Sequence, residues 1–516
     1  MAEGRRASIR WWPAGLIVAV AVIAWSVLPL FPHRSQQDLH LQFGKVIFCS
    51  LAALVIWLLC LSRLRWKWRL LLLASGCGGI AAMVGMFRIR GVTGNLVPVL
   101  EPRWVHRSLQ KPVPANPSPV GSNQLATVPG ASDFPQFMGP NRNGLLSGPR
   151  LGTNWSSAPP QLLWRQEVGA AWSGFAVSGP FAVTQEQRGE EELAVCYDLL
   201  TGKPRWSHAN HARYFTTLAG EGPRATPTIS QSRVLVQGAT GILDCLDLAS
   251  GKLIWSKDIF QENQGSIPSW GHSSSPLVTE GGVIVNPGGR PGKALVAYRI
   301  EDGTVLWRGG DRGESYSSPV LLTLGGLRQV VLFADSLVGH DAATGELLWR
   351  FKWPGGHPHI AMPMQMSETD LVVSSGYGTG AGRIKIERGP NGDWIPTQVW
   401  RSNRMKAKFT NLVLHRGYLY ALDDGIMACV EAETGTFKWK DGKYGHGQTL
   451  LVGEILLVQA ENGEVVLVNP QPDQLHEITR FAALRSKTWN PPALAGEYLL
   501  VRNDKEAACF RVPVAH

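Results

Sequence analysis

A ten-residue segment returns along this chain at near-constant spacing. It reads Tyr197-Asp198-Leu199-Leu200-Thr201-Gly202-Lys203-Pro204-Arg205-Trp206, then Leu246-Asp247-Leu248-Ala249-Ser250-Gly251-Lys252-Leu253-Ile254-Trp255, then His340-Asp341-Ala342-Ala343-Thr344-Gly345-Glu346-Leu347-Leu348-Trp349. Looser copies end at Gly303/Trp307 and Gly435/Trp439, so the shared pattern is Asp-x-x-Thr/Ser-Gly-x-x-x-Trp. The glycines lie 49, 52 and 42 residues apart, then 90. The last interval holds a degraded copy, Pro390-Asn391-Gly392 followed by Trp400. Strand-type repeats of about 40–50 residues mean a propeller or an array, not a two-layer enzyme domain.

Each copy reads as a strand, a tight turn and a second strand. Leu193-Ala194-Val195-Cys196-Tyr197 is apolar throughout, as a strand covered on both faces requires. Gly supplies backbone angles that a side chain would forbid, and Asp with Thr or Ser fixes the corner through its own backbone. The Trp then falls on the outer strand, where its apolar face suits a wedge between neighbouring units and its N–H can reach a carbonyl. The structural tryptophans expected on this pattern are Trp164, Trp206, Trp255, Trp307, Trp349, Trp400 and Trp439, with one copy lacking Trp near Glu477-Ile478-Thr479. That predicts eight blades of four strands. The first Trp strand, around Leu162-Leu163-Trp164-Arg165, has no partner before it, and the final strands, 498–502 and 507–512, have no Trp strand after them. The two fragments complement each other, so the first strand is expected to complete the last blade and close the ring, removing the open sheet edges.

The formal charge of +10 misleads if taken whole. Residues 1–111 hold 14 Lys/Arg against Glu3, Asp38 and Glu101, leaving 36 basic and 37 acidic residues in the remainder. The repeat region is neutral, which argues against nucleic-acid binding. Cys196, Cys245, Cys429 and Cys509 fall at equivalent strand positions, where they serve as small apolar side chains. There is no Cys-x-x-Cys and no adjacent Cys pair.

The N-terminal region, 1–100, reads as a membrane domain with spans at about 11–31, 46–61 and 70–87. Arg5, Arg6 and Arg10 precede the first span, and Arg63, Arg65, Lys67 and Arg69 fill the loop between the second and third. Both are expected on the cytoplasmic side, with Arg34 and Lys45 in the poorer outer loop. This places the repeats outside the cytoplasm, on the periplasmic side of a bacterial inner membrane, although Arg88, Arg90, Arg103 and Arg107 after the third span pull the other way. Residues 101–133 form a Pro-rich linker (Pro112, Pro114, Pro117, Pro119). Residues 134–160 form a lead-in that opens Phe134-Pro135-Gln136-Phe137-Met138-Gly139-Pro140-Asn141-Arg142-Asn143-Gly144, whose aromatics suggest docking on the propeller, 161–516.

The repeats resemble the quinoprotein, or PQQ-binding-like, β-propeller family, and the lead-in resembles that of many bacterial propellers of this kind. The resemblance implies an all-β, eight-bladed fold and covers roughly residues 161–512. It implies either of two activities, because one fold hosts both. Some members are non-catalytic, such as the propeller lipoprotein of the outer-membrane β-barrel assembly machinery. Others are dehydrogenases that hold PQQ and Ca²⁺, and the membrane-bound glucose dehydrogenases place several spans before the propeller. Such enzymes need oxygen ligands for Ca²⁺, a base near the quinone and cations for its carboxylates. The alcohol dehydrogenases also carry adjacent cysteines, which this chain lacks. The reading favoured here is a membrane-anchored scaffold without cofactor or metal, binding an envelope protein or peptide. The rival is a PQQ- and Ca²⁺-dependent dehydrogenase oxidising an alcohol or sugar. A third reading is a sensor with its ligand in the funnel.

Aligning the connections between units on Thr226-Pro227, Ser275-Pro276 and Ser318-Pro319 brings Trp172, Arg224, Ser273, Tyr316, Ile360, Lys408, His446 and Trp489 into one column, with Trp270, His272, His357 and His359 close by. These residues are expected either to form an aromatic, mildly cationic rim at the channel mouth, suited to an anionic molecule or a peptide, or to plug the axis. No catalytic residue is assigned. His208-x-x-His211 and His357-x-His359 lack a third ligand at a defined place, and the glycines from Gly376 to Gly382 precede a strand rather than a helix, so neither a metal nor a phosphate site is expected.

Overall fold

The computed structural model describes residues 9–31, 35–105, 128–311, 313 and 315–515. The chain divides into two compact units near residue 107. In the first, three helices are long and apolar enough to cross a membrane: Trp12–Val27, continued by the turn Leu28–Leu30; Gln36–Ile56, continued by Trp57–Leu61; and Trp66–Met86. Trp25 stacks on Phe43 at 4.2 Å, joining the first two. The second helix begins ten residues before the apolar run at 46, so Asp38, His40 and Lys45 are helical rather than in a loop. Its start is set by Ser35, whose side chain accepts the Asp38 N–H, with Asp38 itself in the first turn. The third helix starts at Trp66, not 70. It gives way at Phe87 to a hairpin, Phe87–Val92 against Pro98–Pro102, that the sequence reading missed. Two of the arginines after this helix are matched there: Arg88 and Arg90 lie 2.8 and 3.9 Å from Glu101. Arg5, Arg6, Arg34, Arg107 and the linker prolines lie outside the described residues.

The second unit is an eight-bladed β-propeller. Blade 1 is Ala176–Ser178, Phe181–Arg188, Glu191–Asp198 and Pro204–Asn210 in consecutive antiparallel order. Blades 2 to 7 follow the same plan over 228–258, 277–309, 320–351, 364–402, 413–443 and 448–482. Blade 8 joins three strands at 493–511 to Gln161–Glu167. The ring therefore closes through the first strand, with Trp164 opposite Cys509. Arg502, 1% exposed, crosses the same joint: its guanidinium donates to Thr184 Oγ1, Gln185 O and Gly169 O at 2.7–2.8 Å.

The repeat pattern joins each blade to the next. The Trp206 indole donates to Leu248 O at 2.8 Å and lies over Gly251 of blade 2, where a Cβ would fall 2.6 Å from the ring. Gly251 has φ +70°, so glycine is required twice at this corner. Trp164, Trp255 and Trp400 dock in the same way on Gly202, Gly303 and Gly435, and Trp307 lies over Gly345. Trp439 donates to Gln471 O. The four blade cysteines, Cys196, Cys245, Cys429 and Cys509, stand opposite Trp206, Trp255, Trp439 and Trp164 across the sheet. All four are buried free thiols whose pKa burial raises.

Two joints differ. Trp349 turns back into its own blade and donates to Gln329 Oε1 at 2.6 Å. Blade 7, which lacks the Trp, presents Phe481, and Trp155 of the lead-in packs edge-on against it at 5.3 Å.

Segment 134–146 covers one end of the channel. Phe134 exchanges backbone hydrogen bonds with Val177 of blade 1, and Pro135 O accepts Ile229 N of blade 2. Arg142 donates to Ser275 O and Pro276 O at the start of blade 3, both at 2.9 Å. Three residues later, Leu145-Leu146 pairs in parallel with Leu451-Val452 of blade 7. Blades 3 and 7 face each other across an eight-membered ring, so the segment crosses the axis.

Candidate functional site

The other end of the channel is built from the connections between blades and from the hairpins joining second to third strands. Behind it runs a ring of blade-to-blade hydrogen bonds. Gly174 N donates to Thr226 Oγ1, Thr226 N to Ser275 Oγ and Ser275 N to Ser318 Oγ, at 2.9–3.1 Å. The Thr/Ser-Pro positions used to align the sequence are thus equivalent in space. Each hydroxyl accepts the amide of the preceding blade and holds the connection above it.

Those connections carry a closed circuit of rings and cations. Trp172 and Trp489 lie 4.8 Å apart, Trp489 and Phe409 5.1 Å, and Phe409 and His446 5.3 Å. Lys408 Nζ sits 5.4 Å from the Phe409 ring and 4.8 Å from that of Tyr377. Tyr377 stacks on His357 at 4.8 Å and lies 6.4 Å from Trp270, which is 5.9 Å from Tyr316. Next to Trp270, Ser269 O accepts the Tyr214 hydroxyl at 2.6 Å, and the Arg224 guanidinium covers the Tyr214 ring at 4.4 Å. Arg224 and Trp172 both donate to Ala219 O, at 3.0 and 2.7 Å, which closes the circuit. Lys487 Nζ lies 3.8 Å from Trp489 and 4.6 Å from Trp172.

Burial sets the electrostatics. Desolvation lowers Lys408 to about 8 and Arg224 to about 10, with Asp424 and Glu461 pulling Lys408 back toward its charged form. His446 is lowered to about 4 by burial and by the neighbouring Lys408, so it is a neutral ring at pH 7. Glu461 accepts Trp489 Nε1 at 2.8 Å and His446 N at 2.9 Å, which anchors two members of the circuit.

Two of the expected rim residues lie elsewhere. His272 is 1% exposed: its Nε2 donates to Asn286 O at 2.9 Å, Gln237 Nε2 lies 3.2 Å from its Nδ1, and burial lowers it to about 4. His359 donates to Ala334 O and stacks on Phe333 at 4.1 Å in the core. Both face inward because a ring nitrogen there satisfies a carbonyl that a connection leaves unpaired. Ser273 donates to Tyr316 O at 2.9 Å, and Ile360 is half-buried. The reading missed Tyr214, Tyr377, Phe409, Lys487 and Glu461. Tyr377 and Glu461 sit on second-to-third-strand hairpins, which share this face but were not in the aligned column. Among the described residues no group of three or more His, Cys, Asp or Glu could hold a metal ion. His208 pairs with Asp244 at 3.4 Å, while His357 and His359 point apart, one exposed and one buried.

The comparisons agree with this architecture. A family model described as outer membrane protein assembly factor BamB matches residues 189–441. The repeats are of the PQQ-like propeller family. A curated relative, outer membrane protein assembly factor BamB of Shewanella oneidensis, is 24% identical over 289 residues, 54% of this chain and 71% of the relative. Among solved structures, BamB from Moraxella catarrhalis superposes with a TM-score of 0.51 at 14% identity, covering 68% of this chain and 99% of that one. Quinohemoprotein alcohol dehydrogenase from Comamonas testosteroni superposes with a TM-score of 0.53 at 13% identity, covering 75% and 81%. At these identities the solved structures report the PQQ-like propeller fold and no more.

Proposed function

We propose that the chain is a membrane-anchored, extracytoplasmic scaffold whose PQQ-like propeller holds an extended segment of an envelope protein across the channel mouth, without catalysis. The observation that carries this reading is the circuit of aromatic rings and cations, joined at Ser269 O and Ala219 O by hydrogen bonds, to which the connections between blades contribute all the way round the ring. Aromatic faces bind apolar side chains at low entropic cost, and Arg224, Lys408 and Lys487 favour acidic ones. The assembly-factor name of the curated relatives supports the same class of partner. The three apolar helices support anchoring, and the basic residues around Arg63–Arg69 support an inner-membrane orientation with the propeller in the periplasm.

The quinoprotein neighbours raise a second reading, a PQQ- and Ca²⁺-dependent dehydrogenase. Ca²⁺ takes six to eight oxygen ligands, and no three carboxylates converge among the described residues. The carboxylate best placed at the mouth, Glu461, is already an acceptor for Trp489 and His446. The engagement of that acid supports the scaffold reading over a calcium site.

The test uses the full chain in its own membrane. A photo-crosslinker at position 377 or 357 should capture one envelope protein reproducibly, and Trp172→Ala or Trp489→Ala should abolish the product. The same crosslinker at exposed position 437, on the far side of blade 6, should not capture it. Stoichiometric binding of added PQQ with Ca²⁺, together with dye-linked alcohol or sugar oxidation, would overturn the scaffold reading.

A further inference from the structure

At the end of the channel away from the mouth lies a cavity of about 400 Å³ between the lead-in segment and the first strands of blades 3 to 6. That volume falls within the range of small-molecule sites. The apolar part of its wall is supplied by Leu277, Leu322, Met364, Leu412 and Leu414. Pro140 and Asn141 border it and are exposed, so it is open to solvent at the lead-in edge.

The lining also carries polar side chains, Gln136, Asn141, Asn143, Gln365 and Asn411, and one charged group. Arg142 is 4% exposed. Its Nη atoms are fixed by neutral oxygens: Pro276 O and Ser275 O at 2.9 Å and Gln136 Oε1 at 3.2 Å. Its Nε is buried without a partner. Among the described residues Arg142 has no ion pair. The other buried arginine on this axis, Arg502, lies close to the carboxylate of Glu186, whose charge acts on it. Burial alone accounts for the depressed pKa of Arg142, about 9, because no acid opposes it. It is still charged at pH 7. A buried cation without an anion is costly, and an N–H left unmade adds to that cost.

We infer that this cavity binds a monocarboxylate with a compact apolar tail, its carboxylate against Arg142 and its tail along the leucine and methionine wall. Three of the five guanidinium N–H groups are committed, which leaves the Nε–H, one Nη2–H and one charge. That suits a monoanion better than a doubly charged phosphate. Two sources have this chemistry, a free branched or aromatic acid and the C-terminal residue of a peptide. The site lies at the opposite end from the mouth and does not depend on what the mouth binds.

The test is calorimetry and thermal shift on the full chain in lipid nanodiscs. The probes are 3-phenylpropionate, 4-methylpentanoate and N-acetyl-Ala-Leu, each with its own amide. At least one carboxylate should bind with unit stoichiometry, and its amide at least about tenfold more weakly, as loss of a charge-assisted hydrogen bond requires. Binding by the free acids alone identifies the source as a small acid, and binding by the acetylated dipeptide alone identifies it as a chain end. Arg142→Gln should abolish binding. Because that variant also alters the plug, Leu414→Phe, which fills the half-buried edge of the cavity and keeps Arg142, should weaken binding about tenfold with an unchanged melting temperature. Trp172→Ala at the mouth should leave it unaltered. The inference is overturned if no carboxylate binds, if acid and amide bind equally, or if Leu414→Phe folds and binds as the parent does.

Discussion

The joint between blades 1 and 2 and the joint between blades 4 and 5 use the same residue type to different ends. In the first, Trp206 reaches forward to the Leu248 carbonyl and rests on Gly251. In the second, Trp349 has no such glycine to rest on. The blade 5 turn carries Gly392, with nothing within 4 Å of a Cβ there, at the tip of a hairpin whose strands are nine residues each. Trp349 therefore folds back on Gly339 and Gln329 of its own blade. Two tryptophans outside the pattern fasten the joint instead. Trp353, 2% exposed, donates to Ser375 Oγ of blade 5 at 2.8 Å, and Trp394 of blade 5 packs on Gly325 of blade 4. An indole N–H must find an acceptor when buried, but which blade supplies it depends on whether the neighbouring turn leaves room.

Substitutions can break this contrast, in order of expected effect. Trp206→Ala removes a buried indole from a joint with no substitute and should cost about 4 kcal/mol in chemical denaturation. Gly251→Ala should cost about 3 kcal/mol, combining left-handed strain with displacement of the Trp206 ring. Gln329→Leu orphans the Trp349 N–H and should cost about 2 kcal/mol, whereas the acceptor of Trp206 is a backbone carbonyl that no side-chain change removes. Gly392→Ala meets only strain and should cost about 1 kcal/mol. Equal losses for Gly251→Ala and Gly392→Ala would show that the indole contact contributes nothing.

A pH-dependent effect concerns His272, which ties blade 2 to blade 3 near the mouth. Its pKa in the fold is about 4 against an ordinary 6.5. Below pH 6.5 the unfolded chain takes up a proton that the folded one refuses, so stability falls as pH falls toward 4 and levels off below it. The loss is about 1.4 kcal/mol at pH 5.5 and about 3 kcal/mol at pH 4. His272→Gln keeps a donor for Asn286 O and should flatten the decline between pH 6.5 and 4. An unchanged slope would mean that other groups carry it.

Blade number and ring closure were legible because the turn and its Trp are close in sequence, and because the unpaired strands at residues 161 and 498 leave only one way to complete a sheet. The mouth was legible in part. One residue per connection could be aligned on the Thr/Ser-Pro steps, and eight of the ten rim candidates lie within ring or cation contact of the circuit: Trp172 with Trp489 and Trp270 with Tyr316 directly, Lys408 and His446 through Phe409. Arg224 and His357 join it through Tyr214 and Tyr377, residues that alignment on connections could not find. His272 and His359 sit two positions from exposed or half-buried neighbours, and only the fold shows which side chain turns inward. The early start of the second helix was hidden because a cap and a first-turn acid, rather than an apolar run, set it.

The closing strand has a consequence for synthesis. Gln161–Glu167 is made about 340 residues before its partner, Glu506–Arg511, leaves the ribosome. At roughly 5–20 residues per second, that is an interval of about 20–70 s. Until then Gln161–Glu167 has no partner strand, and the growing arc of blades ends in an unpaired sheet edge, the kind of edge that pairs with other chains. The pairing that closes the ring is thus the last of the propeller's to become possible, and whatever shields those edges in the cell must act until blade 8 emerges.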